Sequence, residues 1–359
     1  MKKAKIVISV LSLCAMLLAI AGCGTQSASP SADASPESTS ATTAAGGGYK
    51  IAFCNSYNGN SYRQLQEKLF TEEADKLVAS GVLSSYKILE ANSDVATQVS
   101  QIESCILEEY DAIMVDPASA TGVNGAIEEA YAANIPVLVI NDGPVTTDKC
   151  WQLNQPCYEF TKKAAEYVVE KLNGKGNVIV VRGIAGVAAD EDFYNGMMDV
   201  FKQYPDINVV AEVYGEWTAS VAQQQIASVL PGLDKVDAVI GEGGEEYGAL
   251  QAFEAANRDI PLIISGNRGN FLSWWAKQKS ETGYETFGWG CNAWHSAAGI
   301  YVLQDIIEGV DVPKSMFMPG VYVTQDTVDQ YADMAADDMP YEAYDHQWVK
   351  DNLYTQKNG

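Results

Sequence analysis

Histidine is almost missing from this chain: His295 and His346 are the two it carries in 359 residues. Neither lies near a serine or cysteine nucleophile motif, so a hydrolytic triad has no base to work with, and His295, beside Trp294, reads as a helix-face residue. Phosphate loops of the GxxxxGKS type are absent. Residues 241–246, Gly-Glu-Gly-Gly-Glu-Glu, fail the dinucleotide fingerprint because Glu246 stands where its last glycine belongs. Cysteines do not come in CxxC pairs, which removes the usual zinc sites, and the acidic group Asp333, Asp337 and Asp338 lacks the alternating ligand spacing of a calcium loop. It reads as a solvated face. Basic residues are scarce as well, 23 Lys and Arg against 47 Asp and Glu for a net charge of -24, so nucleic acid is excluded as a partner. No cofactor, no metal and no enzymatic reaction are expected.

The first 48 residues are of a different kind from the rest. Lys2, Lys3 and Lys5 form a charged start, residues 6–20 an apolar run, and Ala21 and Gly22 precede Cys23, which reads as an export signal too short for a spanning helix. Without those lysines the net charge is about -27. The small-small-Cys ending resembles the lipobox of bacterial lipoproteins, which implies removal of residues 1–22 and a diacylglycerol anchor on Cys23. From Gly24 to Gly48 nothing apolar is larger than alanine, so residues 23–48 are expected to be a flexible tether. The localisation this predicts is extracytoplasmic, on the outer face of the cell membrane. Beyond Cys14 and Cys23 there are five cysteines, an odd number that argues against a disulfide framework. Buried thiols are expected, with a Cys150–Cys157 bridge as the alternative.

From Tyr49 onward short β-branched apolar runs alternate with segments of helical period. Strands are expected near 51–54, 87–89, 112–115 and 136–140. Between them Tyr62, Leu65, Leu69 and Leu77, then Val95, Val99, Ile102 and Ile106, then Val123, Ile127 and Ala130 mark helix faces. The rhythm restarts after Trp151, with strands near 178–181, 209–213, 236–240 and 262–265 and helices between. A strand near 286–289, a helix around Trp294, Ala298, Tyr301 and Ile306, and a strand near 321–324 complete the pattern. Unbroken apolar strands are buried on both faces, so the expected fold class is α/β with two doubly wound parallel-sheet lobes. The halves share topology without a matching sequence repeat.

Ligands of open parallel sheets sit beyond the carboxyl ends of the strands, so the loops there are the candidate site. The first loop holds Asn55, Asn58, Asn60, Tyr62 and Arg63. Later ones hold Asp116, then Asn141 and Asp142, then Asp190 and Asp192, then Glu242, then Asn267 and Arg268, then Trp289 and Asn292. Amides and carboxylates offer paired in-plane contacts to vicinal hydroxyls, and aromatic faces cover the C–H side of a sugar ring. A single such residue after a strand is more often a turn-former or a helix cap, and Asp190 and Asp192 equally suit a helix dipole. The convergence of several loops carries the argument.

Lys50-Ile51-Ala52-Phe53 with its Asn-rich loop, residues 113–118, Ala133-Asn134-Ile135-Pro136-Val137 and Arg182-Gly183-Ile184-Ala185-Gly186 resemble the ribose- and galactose-binding type of periplasmic solute-binding protein. The resemblance implies two lobes joined by three hinge crossovers, near Gln155, Gly290 and Pro319. It gives lobes of 49–154 plus 291–319 and of 155–290 plus 320–345, and leaves 346–359 as a tail. It further implies a monomer that closes on a sugar or polyol and docks on an ABC permease with its ATPase. Asn60, Tyr62 and Arg63 would form the first-lobe platform beside Asn141 and Asp142. Asp190 to Asp192, Glu242 and Asn267 would face them, with Trp289 close to a crossover. Asn141-Asp142 replaces the family's common Asp-Arg pair, the acidic 190–192 run replaces an arginine, and Asn267 replaces an aspartate. These departures point away from ribose, toward a neutral polyol or sugar or one bearing an amine. A ligand-presenting lipoprotein for a membrane receptor kinase is the alternative, and an exported sugar-acting enzyme a remote one. The repressors that share this fold carry a basic helix-turn-helix where this chain has an export signal.

Overall fold

The computed structural model describes residues 42–43, 47–141 and 144–356. The export segment, Cys23 and Asp142 fall outside the described residues, as does the side chain of Asn141. In chain order the first lobe contains β1 (Thr42–Thr43), β2 (Tyr49–Asn55), α1 (Ser61–Ala79), β3 (Leu83–Glu90), α2 (Val95–Leu107), β4 (Ala112–Val115), α3 (Asn124–Ala132), β5 (Val137–Asn141) and β6 (Trp151–Asn154). The second contains α4 (Cys157–Lys171), β7 (Lys175–Arg182), α5 (Ala188–Phe201), β8 (Asp206–Tyr214), α6 (Ala219–Val229), β9 (Ala238–Gly241), α7 (Glu246–Ala255), β10 (Leu262–Ile264), α8 (Gly269–Glu281) and β11 (Gly288–Gly290). The rest is α9 (His295–Ile307), β12 (Ser315–Phe317), β13 (Val321–Val323) and α10 (His346–Asn352).

The first sheet runs β1-β3-β2-β4-β5-β6-β12 and the second β10-β9-β7-β8, with β11 and β13 paired separately. Every pairing in the two sheets is parallel except β1 on β3. Thr42 and Thr43 pair with Tyr86 and Ser85, so the expected tether forms backbone pairs at these two positions. Each sheet has an apolar core on both faces. In the first lobe α1 and α9 cover one side, and Ile102, Ile127 and Ala130 of α2 and α3 the other. In the second, Phe160 and Phe193 cover one side and Ile226 and Phe253 the other. This is the doubly wound α/β architecture with two lobes.

Local chemistry sets the helix starts. Asn60 accepts the Arg63 N–H at 2.9 Å to open α1, and Asp94 and Asp345 do the same for Thr97 and Trp348 at 2.7 and 2.8 Å. Such caps satisfy one of the orphan donors of a first turn.

The chain passes between lobes after β6, after β11 and after β12, where Met318 to Gly320 lead into β13. A further passage lies beyond the three expected crossovers. The carbonyls of Ala336 and Asp338 accept the N–H groups of Asn270 and Gly269 at 3.1 and 2.8 Å in the second lobe. Four residues on, Glu342 bonds the Asn292 side chain through its N–H (3.3 Å) and its C=O (2.8 Å) at the base of the first lobe. Gly269 is required there, since a Cβ would stand 2.0 Å from the Ala335 carbonyl oxygen.

The C-terminal segment is not the tail expected from the sequence. Val349 and Leu353 are fully buried in the first lobe's core, and Asp305 of α9 bonds His346, Lys350 and Tyr354 at 2.9, 3.1 and 2.7 Å. The apolar residues of 346–359 are spaced too sparsely to declare a buried face, which is why the segment reads as a tail. The Cys150–Cys157 bridge is corrected too: no bond joins these two, Cys150 packing in the first lobe's core and Cys157 in the second's.

Candidate functional site

A cavity of about 170 Å³ lies between the lobes at the strand ends. Its first-lobe wall is Tyr57, Asn60, Tyr62 and Arg63. Ile184, Ala189, Phe193, Trp217, Glu242, Gly243, Gly244, Gly266, Asn267 and Arg268 face them, with Trp289, Gly290 and Cys291 at a crossover and Met339 and Pro340 from the C-terminal passage. The walls are largely aromatic and aliphatic, with polar groups at a few points. Amphipathic small molecules are recognised in this way.

On the first-lobe side, the Asn60 cap aims the opening turn of α1 at the cavity. Arg63 forms a buried ion pair with Asp116, which stands at the end of β4, and this holds the guanidinium in place. Behind it His295 is fully buried. The Gln66 amide faces its Nε2 at 3.2 Å and the Asn292 carbonyl its Nδ1 at 3.2 Å, so Nδ1 carries the proton that the carbonyl accepts and Nε2 accepts from Gln66. Burial, then the neighbouring Arg63 charge, lowers its pKa to about 3, and the ring stays neutral. It braces the platform.

On the second-lobe side, the glycines of the loop after β9 turn the chain so that its own carboxyls fold back onto backbone N–H groups. Gly243 and Gly244 take φ of 118° and 95°. Glu246 then accepts from Gly244, Gly266 and Arg268 at 2.9, 3.0 and 2.8 Å, and Glu245 accepts from Gly243 and from the Ser265 hydroxyl, each at 2.7 Å. Glu242 accepts the Gly183 N–H at 2.9 Å through one oxygen. Burial raises its pKa to about 10, with the charges of Asp190 and Glu245 adding to the effect, so it is a neutral acid at pH 7. Burial likewise raises Glu245 to about 8.

Trp217 reaches the cavity from the loop after β8. It and Glu216 take φ of 51° and 53°, the left-handed region where a side chain other than glycine costs about 1 kcal/mol or more. Strain of this kind is retained where position matters. The indole lies on the backbone of Gly183, where a Cβ would stand 2.2 Å from the ring. Trp289 packs between Phe160 and Phe193, each at 5.4 Å between ring centroids.

Four buried polar atoms on these cavity-lining residues have no protein partner: Trp217 Nε1, Trp289 Nε1, Glu242 Oε1 and Asn267 Oδ1. Buried polar atoms are ordinarily paired, so a cluster of orphans around one cavity marks where another molecule's groups belong. The lobes also meet directly, the Arg268 guanidinium donating to the Ser61 hydroxyl.

Of the residues expected at the site, Asn60, Tyr62, Arg63, Glu242, Asn267, Arg268 and Trp289 line this cavity. The remaining described ones stand elsewhere. Asn55 is buried against Glu90 at 3.3 Å, and Asn58 donates to Glu67 at 2.6 Å, each shaping the first loop. Asp116 acts through Arg63. Asp190 is turned inward, where Arg182 holds both its oxygens at 3.2 and 2.6 Å, while Asp192 is on the exposed side of α5. Asn292 fastens the C-terminal passage. Trp217, Phe193, Ile184, Met339 and Pro340 line the cavity without having been expected there. Trp217 carries a signal, since it lies in a loop after a strand like the others, but amides and acids stand out more strongly in those loops. Met339 and Pro340 belong to a passage with no strand or helix to announce it.

A family model for the periplasmic binding protein domain matches residues 51–310. The chain is 26% identical over 243 residues to a xylitol-binding protein of Mycolicibacterium smegmatis, covering 67% of this chain and 68% of that one. Among solved structures, an ABC transporter solute binding protein from Thermobispora bispora superposes with a TM-score of 0.76 at 31% identity, over 85% of this chain and 94% of that one. The fructose-binding periplasmic domain of a hybrid two-component system shares the fold, with a TM-score of 0.66 at 22% identity over 79% and 94% of the two chains. A two-lobed chain of parallel sheets, whose match to the family model spans both lobes, belongs to the periplasmic binding protein domain family, an extracytoplasmic family of solute-binding proteins.

Proposed function

We propose that this protein captures a monosaccharide or related polyol between its lobes, without altering it, and delivers it to the permease and ATPase of an ABC importer. The observation that carries the reading is the set of orphaned polar atoms on Trp217, Trp289, Glu242 and Asn267, opposite Asn60 and Arg63, in one cavity with aromatic walls. Indole N–H groups donate to hydroxyl oxygens, and the amide oxygen of Asn267 accepts from a hydroxyl. Glu242, protonated at neutral pH, can donate or accept. Aromatic faces cover the C–H surface that a sugar ring or an extended polyol presents. A ligand touching both walls favours the closed arrangement by its differential affinity, which is how capture drives closure. The xylitol-binding relative and the solute-binding relative from Thermobispora support this class of ligand and role.

The test is a thermal-shift screen of the purified protein against xylitol, myo-inositol, D-ribose, D-fructose and their amino-sugar counterparts. A ligand that binds only the folded state raises the melting temperature. At least one polyol or sugar is expected to do so, and a flat response across the panel would overturn the reading. A preference for an amino sugar over its neutral parent would select the amine-bearing class.

The protein is held outside the cell membrane by a lipid on Cys23 in this proposal, so Cys23→Ser is expected to appear in the culture medium with ligand binding intact. Retention of that variant in the membrane fraction would refute the anchor. A second reading is ligand presentation to a receptor kinase, since the same fold occurs as the fructose-binding periplasmic domain of a hybrid two-component system. Neighbouring genes for a permease and ATPase would favour import, and a neighbouring histidine kinase gene would favour sensing.

A further inference from the structure

Two of the cysteines stand on consecutive crossovers. Cys157 opens α4 directly after the first, and Cys291 comes directly after β11 on the second. Contacts on either side of the pair bring these two segments together. Before Cys157, the Gln155 amide donates to the Asn292 carbonyl at 3.4 Å. After it, the Phe160 ring meets Trp289 at 5.4 Å between centroids, and a Cβ on Gly320 would touch both that ring, at 2.5 Å, and the Gly290 carbonyl oxygen, at 3.0 Å. The run 155–160 thus lies against the run 289–292 with the sequence order reversed, and the cysteines fall at matching places along it. Both side chains also belong to the same apolar cluster of the second lobe, Cys157 buried within it and Cys291 packed on its edge. Cys150, the nearest other cysteine in sequence, belongs to the first lobe's core.

We infer that Cys157 and Cys291 form a disulfide that staples the first crossover to the second at the base of the ligand cavity. Members of this family work outside the cytoplasm, where such bonds form and persist. The approach is open on one side, because Cys291 lines the cavity. The oxidant is a protein or small-molecule disulfide. The Cys291 thiolate attacks one of its sulfurs, giving a mixed disulfide and releasing a first thiolate. The Cys157 thiolate then attacks the Cys291 sulfur and expels the second. Two cysteine thiols become one S–S bond, the oxidant's S–S bond becomes two thiols, and the two protons end on those thiols.

The bond closes the loop from residue 157 to 291, which holds the whole β7 to β11 unit, and so restricts its unfolded chain. It also fixes the two crossovers to each other on the second-lobe side, so bending of the hinge falls on the residues nearer the first lobe.

Peptide mapping decides the matter. The full-length protein, extracted in detergent without reductant, is incubated with excess oxidised dithiothreitol, blocked with N-ethylmaleimide in denaturant and digested. Mass spectrometry should find a peptide pair joined through Cys157 and Cys291, split by reduction. The melting temperature should fall on reduction of the parent protein and be unmoved by reduction in Cys291→Ser. Recovery of Cys157 and Cys291 as separate maleimide adducts after the oxidising step, or of Cys157 joined to Cys150, would overturn the inference.

Discussion

Replacing Glu242 by glutamine is expected to stabilise the ligand-free protein, by an amount that grows with pH. Glu242 is 3% exposed, shares the Gly183 N–H with Asp190, and has its pKa raised from 4.5 to about 10 by burial first, then by the charges of Asp190 and Glu245. Between those two values the folded protein keeps a proton that the unfolded chain releases. Stability from this group is therefore fully present below pH 4.5 and declines at about 1.4 kcal/mol per pH unit until the folded pKa is passed. By pH 7 the loss comes to about 3 kcal/mol. Glutamine removes the ionisable group while keeping an oxygen for the Gly183 N–H and a donor toward Asp190. At roughly 2 °C per kcal/mol for a large domain, the variant should melt about 6 °C above the parent at pH 7. The two curves should converge near pH 4.5 and separate further at pH 8. Calorimetric melting temperatures at pH 4.5, 6, 7 and 8 supply the measurement. A difference that stays constant across the series, or a variant that melts lower at pH 8, would refute the placement of a neutral buried acid at the cavity.

Truncating the cavity's anchors should weaken binding of whichever ligand the screen identifies. Arg63→Ala or Trp289→Ala is expected to raise Kd tenfold or more by calorimetry, since buried aromatic and guanidinium contacts are worth about 2 kcal/mol or more; unchanged affinity in both would discredit the site. Asp305→Ala should lower stability by about 2 kcal/mol in urea titration, because the buried acid accepts hydrogen bonds from His346 and Tyr354 and forms an ion pair with the Lys350 ammonium. A neutral result would mean α10 is held by its apolar face alone. Glu216→Gly should stabilise by about 0.5 kcal/mol, since its φ of 53° suits glycine and the gain exceeds the added chain entropy. Loss of stability in that variant would show that its side chain does more than occupy a strained turn.

The two-lobed plan is legible in the sequence because the β2, β4 and β9 runs are short, apolar and buried on both sides, which periodicity detects. β6 and β12 are not, since Trp151-Gln152-Leu153-Asn154 alternates apolar and polar residues and Ser315-Met316-Phe317 is too short to show a period. Among the cavity-lining residues, Arg63 and Asn267 are identifiable from the loops that follow strands, and Trp289, which lies within β11, from the aromatic ring at the end of an apolar run. Residue type alone does not separate Glu242, which lines the cavity, from Asp190, which turns inward to Arg182. That distinction is set by the direction of a first helical turn, and composition does not encode it. Met339 and Pro340 reach the cavity only because Gly269 admits the passing backbone, a long-range fit between residues some seventy apart in sequence.

The docking of α10 on α9 has a consequence for the order in which the chain matures. The first lobe's β2 to β6 and α1 leave the ribosome early, but the apolar surface that Val349 and Leu353 cover stays open until α10 has been made. The half encoded first is thus the half completed last. A first lobe whose α10 has not yet been made lacks part of its own core, so its packing cannot be finished before every element of the second lobe has been made.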